Sequence, residues 1–166
     1  EQLGTTLAER VDQTLTVIQS LKLMPSRLVI AGFSMGAYVA LKLASALRVP
    51  GLCLAIPAAY AAQAFHVPFG PAFSAVLRAP RSWDASDAFD LVRDYGGHVL
   101  VLSASEDQAV PTEIPRRYFE QAHKARSRRH HVVTGAGHQL SAHYDTHPQA
   151  RVLAYDEIAA LCRHSS

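Results

Sequence analysis

The sequence is poor in the features that mark several large classes of protein. Its 166 residues contain only two cysteines, Cys53 in an apolar run and Cys162 near the end of the last predicted helix. Such a pair is typical of reduced core thiols and not of a disulfide framework. The sequence has no apolar run of membrane-spanning length, and residue 1 does not begin a secretory signal. These absences predict a soluble, cytoplasmic domain without a membrane partner.

The chain also lacks a strong excess of either charge. Its formal net charge is +2 at pH 7, which gives no reason to expect nucleic acid as a partner. The basic stretch of Lys124, Arg126, Arg128 and Arg129 is expected to be a solvated helix end. Because 49% of the residues are hydrophobic and 18% are charged, the composition predicts one globular domain with a real core.

Predicted strands and helices alternate along the chain. Apolar residues at spacings of three and four predict a first helix, with Thr6 and Glu9 as a capping box and Pro25 at its end. Three short apolar runs predict buried strands, at residues 27–31, 52–56 and 98–102, and residues 129–133 are predicted to form a fourth strand. Further helices are predicted at about 36–47, 84–95, 115–124 and 146–163. This alternation predicts an α/β fold, with a mostly parallel sheet and helices on both faces.

Capping residues and prolines set the predicted helix boundaries. Asp84 or Ser86 is expected to cap the helix at 84–95, and Pro115 is expected in the first turn of the next. Thr146 is expected to cap the last helix, with Pro148 in the first turn, where proline is tolerated.

The least regular part of the chain is residues 57–83. It is rich in proline and carries four aromatic residues, Phe65, Phe69, Phe73 and Trp83. The composition predicts a compact, cap-like insertion with one or two short helices. Two interpretations stay open: a connecting loop with its own small apolar cluster, or a lid that lines a substrate pocket.

A Gly-x-Ser-x-Gly pentapeptide, Gly32-Phe33-Ser34-Met35-Gly36, lies between the first predicted strand and the helix that follows. So tight a turn is expected to give Ser34 a positive φ and to bring the backbone at Gly32 and Gly36 close to neighbouring elements. A Cβ at either glycine would then clash. The alternative interpretation is an ordinary strand-to-helix turn with an incidental serine.

Two further polar residues follow predicted strands, Asp107 after the third and His138 after the fourth. Ligands of parallel sheets bind beyond the carboxyl ends of the strands, where Ser34 also lies. A serine hydroxyl needs a base within reach, imidazole is a base near neutral pH, and a carboxylate fixes the imidazole tautomer. We therefore expect Ser34 and Asp107 on opposite nitrogens of His138, with the Met35 N–H donating to an oxyanion.

Both partners of Ser34 have competitors nearby. Glu106 is an adjacent carboxylate that is able to replace Asp107, and His143 and His147 lie close to His138. The Gly135-Ala136-Gly137 lead-in and the strand-end position favour His138. A metal site formed by Asp145 with His143 and His147 is not favoured, because Pro148 and the helix start interrupt a shared helical face.

The three motifs, in the order Ser, Asp, His, resemble those of the α/β-hydrolase superfamily. Gly32–Gly36 is similar to its nucleophile elbow, and Asp107-Gln108-Ala109-Val110-Pro111 to its acid turn, which favours Asp107 over Glu106. Gly135–His138 is similar to its histidine loop, and the resemblance covers residues 7–163.

The resemblance implies a serine hydrolase that cleaves an ester or thioester of a small apolar acyl or aryl substrate through an acyl-enzyme. It implies no metal and no organic cofactor. The substrate contacts are expected at Phe33, Phe65, Phe69 and Val110. The same triad also serves C–C bond hydrolases and perhydrolases, and a non-catalytic ligand-binding module of the same fold is a further alternative.

The front of the chain departs from the family. The fold normally has several strands before the elbow, and a loop after one of them gives the second oxyanion donor. Nothing before Ser26 matches those strands, and the chain starts at Glu1 without an initiator methionine. Either it is the C-terminal part of a larger hydrolase domain, which we expect, or it is a minimal form. The free side of the Ser34 strand is then expected to be open, and the oligomeric state is not predicted.

Overall fold

Strands and helices alternate throughout residues 4–165, the part of the chain that the computed structural model describes. The strands are β1 (Val29–Phe33), β2 (Gly51–Ala55), β3 (His98–Ala104) and β4 (Ser127–Val133). The helices are α1 (Leu7–Ser20), α2 (Met35–Leu47), α3 (Pro71–Arg78), α4 (Ala88–Asp94), α5 (Glu113–Gln121), α6 (Leu140–Thr146) and α7 (Pro148–His164).

The four strands form one parallel sheet in the order β1-β2-β3-β4, as the alternating pattern predicts. Every residue of β2 is buried, which suits an internal strand covered on both faces. β1 is an edge strand with no further neighbour within residues 4–165, and its residues Ala31 and Phe33 are exposed, so the prediction that this strand is buried is wrong. The expected open side of the Ser34 strand is therefore confirmed in the described part.

Side chains of the central strands alternate between two cores. On one face, Leu52 and Leu54 of β2 join a large core that includes residues of α2, α4 and α5. On the other face, Cys53 of β2 and Leu100 of β3 pack against Leu161 of α7. The prediction of helices on both faces is thus confirmed. Because all four strands run the same way, their carboxyl ends meet at one edge.

The predicted start of the first helix is confirmed. The Thr6 N–H donates to Glu9 Oε2 at 2.8 Å and the Glu9 N–H donates to Thr6 Oγ1 at 3.0 Å, a complete capping box. The helix ends at Ser20, earlier than Pro25, and Lys22 adopts a positive φ of 51° just beyond it. β1 begins two residues later than predicted, because Pro25–Arg27 form a 3-10 turn.

The prediction of one helix over residues 84–95 is wrong at its start. Ser82–Ala85 form a separate 3-10 turn, and α4 begins only at Ala88. Ser86 between them is extended, and its hydroxyl accepts from the Ala88 N–H at 3.2 Å. Asp84 pairs with Arg81 at 2.7 Å instead of capping a helix.

Thr146 is not the cap of the last helix. It is the final residue of α6, a helix that the sequence did not predict, and its hydroxyl donates to the His143 carbonyl at 3.1 Å. Pro148 is the first residue of α7, and Pro115 lies in the first turn of α5, as predicted.

The prediction that the basic stretch ends a helix is also wrong. α5 ends at Gln121, and Arg128 and Arg129 lie on β4. Arg128 Nη1 donates to the carbonyls of Phe119 and Glu120, at 3.1 and 2.7 Å. Arg129 pairs with Glu157 of α7 at 2.6 Å, so these two cations hold the edge strand to the helices on its two faces.

Residues 57–83 contain a 3-10 turn, Ala62–His66, and the helix α3. Its aromatic residues do not form a cluster of their own, because Phe69 and Phe73 belong to the same core as α2 and α4. Their rings meet edge to face with centroids 4.9 Å apart. The interpretation as a loop with a separate apolar cluster is therefore wrong, whereas the lid role stays a prediction.

Neither cysteine forms a disulfide within residues 4–165, and Cys53 is buried whereas Cys162 is exposed. Burial raises the pKa of the Cys53 thiol to about 12, so it stays protonated at neutral pH. Among the helices of residues 4–165, none combines the length and the apolar character that crossing a membrane requires.

A partly buried pair between β3 and β4 makes stability depend on pH. Ser103 Oγ lies 2.7 Å from His130 Nε2, and burial, followed by the charge of His131, lowers the pKa of His130 below its usual value of 6.5. The unfolded chain then takes up a proton more readily than the folded one. The stabilising contribution of neutral His130 is therefore complete above pH 6.5 and is lost as the pH falls below it.

We expect the Tm of the wild type to fall more steeply than that of His130→Gln between about pH 7.5 and about pH 5.5. Thermal unfolding followed by circular dichroism measures both slopes, and exposed His123→Gln is the control that should keep the wild-type slope. Equal slopes for the wild type and His130→Gln would contradict this assignment.

Candidate active site

Ser34 is the single residue between β1 and α2, and its backbone is held in an unusual conformation. Its φ is 50° and its ψ is −117°, which confirms the predicted positive φ. Three backbone hydrogen bonds hold it. The Ser34 N–H donates to the Ala55 carbonyl at 2.9 Å, and the Ser34 carbonyl accepts from Ala37 and Ala58 at 3.1 and 3.2 Å.

The two glycines of the pentapeptide have different roles. A Cβ on Gly32 would lie 2.2 Å from the Gly36 carbonyl oxygen and 2.7 Å from the Ala37 Cα, so the close approach predicted there is present. The backbone of Gly36 is therefore close to the strand, but the predicted clash of a Cβ at Gly36 is wrong, because that Cβ would meet no atom of residues 4–165 within 4 Å beyond its own helical turn.

Asp107 and His138 meet beyond the ends of β3 and β4. Asp107 Oδ2 lies 2.9 Å from Nδ1 of His138, and Oδ1 accepts from the N–H groups of Ala109 and Val110 at 2.8 and 2.9 Å. The Asp107 side chain is 4% exposed and that of His138 is 32% exposed. The neighbouring Glu106 is exposed. An imidazole held by Nδ1 presents Nε2 to a reacting group.

Two loops are joined to keep this pair together. The Ser105 N–H donates to the Val133 carbonyl at 3.1 Å, and Ser105 Oγ accepts from the Gly135 N–H at 2.8 Å. The Glu106 N–H donates to the Ala136 carbonyl at 2.9 Å. The acid turn and the histidine loop therefore form one bonded unit. Sequence reasoning missed Ser105, whose only signal is a hydroxyl residue directly after a strand.

Ile56 connects the serine turn to the histidine loop. The sequence places it inside the second strand, but β2 ends at Ala55 and Ile56 has a φ of 41°. Positive φ is rare for a β-branched residue and marks a strained position. Its side chain is buried with Ala136 and Leu140, while its N–H donates to the Leu102 carbonyl at 2.6 Å.

The structure thus brings two of the three predicted catalytic side chains into contact. The Ser34 hydroxyl makes no hydrogen bond to His138 or to any other residue that the structure describes. Ser34 lies at the same edge of the sheet as His138. The segment after β2 contacts both loops, because the Ala58 N–H donates to the Ser34 carbonyl and the Ile56 side chain packs on Ala136. The Met35 N–H is at the first turn of α2, where the helix leaves N–H groups unpaired.

The four predicted substrate contacts lie in different surroundings. Phe33 is 56% exposed on β1, whereas Phe69 and Val110 are buried in the main core. Phe65 is half-buried, edge to face with Tyr38 at 6.2 Å between ring centroids. Their roles in binding a substrate stay predictions.

His143 and His147 stack on each other, with ring centroids 4.1 Å apart and planes 3° from parallel. Nitrogen lone pairs lie in the planes of the rings, so two parallel rings do not converge on one metal ion. Nδ1 of His147 also lies 3.1 Å from the His143 carbonyl, where an N–H donates to it. Within residues 4–165, no three His, Cys, Asp or Glu side chains form a group that is able to hold a metal.

The fold is that of the α/β-hydrolases. Among solved structures, the chain is similar to the monoacylglycerol lipase of Paleococcus ferrophilus, with a TM-score of 0.68 and 17% identity over 99% of this chain and 78% of that one. Est1E from Butyrivibrio proteoclasticus has a TM-score of 0.65 and 19% identity to this chain, over 93% of this chain and 72% of Est1E. A CIB-like hydrolase from Thermoplasma acidophilum has a TM-score of 0.58 and 16% identity to this chain, over 89% of this chain and 57% of the hydrolase.

This chain therefore spans only 57–78% of the length of these three neighbours. No family model matches the sequence, and no curated protein matches it. Identities below a fifth show the common fold and leave the substrate open.

The two glycines give a matched test of the turn. Gly32→Ala forces a Cβ into backbone atoms, and overpacking of this kind costs about 1–3 kcal/mol or more. In a chain of this size that lowers the Tm by about 3–10 °C. Gly36→Ala is expected to keep or raise the Tm, because alanine favours a helix by about 1 kcal/mol over glycine. Thermal unfolding of both variants measures the difference, and equal losses would mean that Gly32 is not closely packed.

Proposed function

We propose that this chain carries the catalytic triad of a serine hydrolase that cleaves a carboxylic ester or thioester through an acyl-enzyme. The observation that carries the proposal is the buried Asp107 carboxylate on Nδ1 of His138, at the same sheet edge as the strained Ser34. Ser34 is the nucleophile, His138 the general base and acid, and Asp107 the residue that orients the imidazole.

In the first step, Ser34 Oγ attacks the carbonyl carbon of the substrate while Nε2 of His138 takes the hydroxyl proton. Asp107 stabilises the imidazolium that forms, because its negatively charged Oδ2 accepts a hydrogen bond from the Nδ1–H of His138. The carbonyl oxygen becomes an oxyanion in the tetrahedral intermediate. The intermediate then collapses, and His138 returns the proton to the departing alcohol or thiol.

The acyl group is then bonded to Ser34 Oγ, and water removes it by the reverse sequence. His138 takes a proton from the water as it attacks the acyl carbon, and it gives that proton back to Ser34 as the acid leaves. The products are a carboxylic acid and the free serine, so no cofactor is consumed.

The Met35 N–H is the proposed donor to the oxyanion. It belongs to the first turn of α2, where the helix dipole adds partial positive charge. Sites of this kind take a second donor from a loop that precedes the elbow in the chain. No residue of the described part is assigned to that role.

The proposed substrate carries a small apolar acyl or aryl group. Phe65 of segment 57–83 supports this, since it packs edge to face on Tyr38 of α2, the helix that begins directly after Ser34. Two structural neighbours act on or bind related molecules: a monoacylglycerol lipase, and Est1E, which was solved with ferulic acid bound. We propose a small-molecule substrate, with neither nucleic acid nor membrane as a partner and with the cytoplasm as the site of action.

A ligand-binding module without turnover is the second candidate. It is favoured by the Ser34 hydroxyl, which has no hydrogen bond to His138 in the described structure. A C–C bond hydrolase with the same triad is a third, since a meta-cleavage product hydrolase is among the structural neighbours, at 18% identity and a TM-score of 0.62.

Hydrolysis of p-nitrophenyl acetate and butyrate tests the proposal. We expect Ser34→Ala to abolish acylation and His138→Ala to lose nearly as much, because the triad acts as a unit. Asp107→Asn is expected to lose up to about 10⁴-fold in kcat by misorienting the imidazole. The matched controls are Glu106→Gln and His143→Gln, whose side chains lie outside the pair and should leave the rate unchanged.

The kinetics separate the candidates. Release of p-nitrophenol at the wild-type rate by folded Ser34→Ala would mean that Ser34 is not the nucleophile. Binding of the substrate without turnover in the wild type would favour the ligand-binding module.

A further inference from the structure

The hydrogen bonds that hold Ser34 continue beyond Ala58 to a buried tyrosine. The Ala58 N–H donates to the Ser34 carbonyl at 3.2 Å, and the Ala58 carbonyl accepts from the Tyr118 hydroxyl at 2.9 Å. Tyr118 lies on α5 and is 0% exposed. The Tyr118 hydroxyl is therefore connected to Ser34 through the backbone of Ala58. The Ala58 carbonyl and the Ala58 N–H that make the two bonds belong to the peptide units after and before its Cα.

The segment that contains Ala58 needs such support. It leaves β2 through Ile56, whose positive φ of 41° is unfavourable for a β-branched residue. Strained backbone of this kind persists only where the surroundings hold it in place. Beyond Ile56, both backbone polar groups of Ala58 are held, its N–H by the Ser34 carbonyl and its carbonyl by the Tyr118 hydroxyl.

Tyr118 is itself rigidly held and is always a donor. Its ring packs against Phe89 of α4, with centroids 5.2 Å apart. Burial raises the pKa of its hydroxyl well above the ordinary value of 10, so the proton stays on the oxygen at any working pH. α5 follows the acid turn directly in the chain, since it begins at Glu113, shortly after Asp107 and Val110.

We propose that Tyr118 is a positioning residue for Ser34, acting through the backbone N–H and carbonyl of Ala58. The inference rests on the proposed function and names a residue that sets the geometry of its nucleophile. Without the Tyr118 hydroxyl, the Ala58 carbonyl is buried without a partner, and the peptide unit between Ala58 and Ala59 rotates to find one. That movement passes through the Ala58 Cα to the preceding peptide unit, whose N–H is the second donor to the Ser34 carbonyl. The turn is then free to shift Ser34 Oγ relative to His138.

Tyr118→Phe removes only the hydroxyl, and Tyr95→Phe is its matched control. Tyr95 is also buried, and its hydroxyl donates to a backbone carbonyl, that of Val49, at 2.7 Å. Val49 and Tyr95 lie just before β2 and β3, at the opposite end of the sheet from Ser34. Both variants therefore lose one buried hydroxyl-to-carbonyl bond, and only Tyr118→Phe loses it near the site.

The readout is labelling of Ser34 by a fluorophosphonate at several probe concentrations. We expect Tyr118→Phe to lower the maximal labelling rate about tenfold, because small displacements of reacting atoms are costly, and to leave the half-saturating concentration unchanged. Tyr95→Phe should label at the wild-type rate. Both variants should lose similar amounts of Tm, which shows that the rate change is not a general loss of stability.

Hydrogen exchange gives a second readout that does not depend on catalysis. The Ala58 amide should exchange about tenfold faster in Tyr118→Phe than in Tyr95→Phe or the wild type, because the loss of the Ala58 carbonyl's partner loosens the backbone that holds this N–H on Ser34. If Tyr118→Phe does not fold, NMR of the wild type is the test. A slowly exchanging Tyr118 hydroxyl proton close to Ala58 supports the inference, and the absence of such a proton overturns it.

The two proposals fail in different ways. A wild-type protein that is never labelled at Ser34 overturns the proposed function, and the Ala58 exchange rate then decides on Tyr118 alone. A labelled wild type with Tyr118→Phe at the same rate, or with Tyr95→Phe equally slowed, overturns the role of Tyr118 and leaves the proposed function standing.

Discussion

The backbone of Ser34 is held in a conformation that serine avoids, and most of the site depends on the hydrogen bonds that hold it there. A non-glycine residue in a sparsely populated region costs about 1–3 kcal/mol. The bonds to Ala55, Ala37 and Ala58 offset that cost from three directions. They also require that β2 lie beside β1 in the observed register and that the chain after β2 turn back at once.

The strained turn and the acid–base pair are linked by packing as well as by hydrogen bonds. Ile56 leaves β2 with its own positive φ and buries its side chain with Ala136 of the histidine loop and Leu140 of α6. The histidine loop is in turn bonded to Ser105 and Glu106 at the acid turn. Three loops that are far apart in the chain are thus linked at one edge of the sheet.

Local patterns carried most of what the sequence predicts correctly. The capping box at Thr6 and Glu9 depends on residues three apart, and the buried strands β2 and β3 depend on short apolar runs, so both are predictable from local sequence. The positive φ of Ser34 follows from the shortness of its turn. The pairing of Asp107 with His138 follows from both residues lying at carboxyl ends of parallel strands.

What the sequence did not predict depends on contacts across the fold. Ile56 is apolar and β-branched, so its composition favours a strand, and only the need to turn towards the histidine loop removes it from β2. Gly36 looks equivalent to Gly32, but only the structure shows that the atoms around Gly32 are close. Tyr118 carries no local signal at all, because its partner, Ala58, is 60 residues away in the chain.

Mass mapping of the acyl-enzyme tests the central claim most directly. Acid quenching during turnover of p-nitrophenyl butyrate traps the intermediate, and peptide masses then locate the butyryl group. The account predicts one acyl group on the peptide that contains Ser34 and none on that peptide in Ser34→Ala. An acyl group on another side chain, or hydrolysis without any trapped intermediate on Ser34, would contradict it.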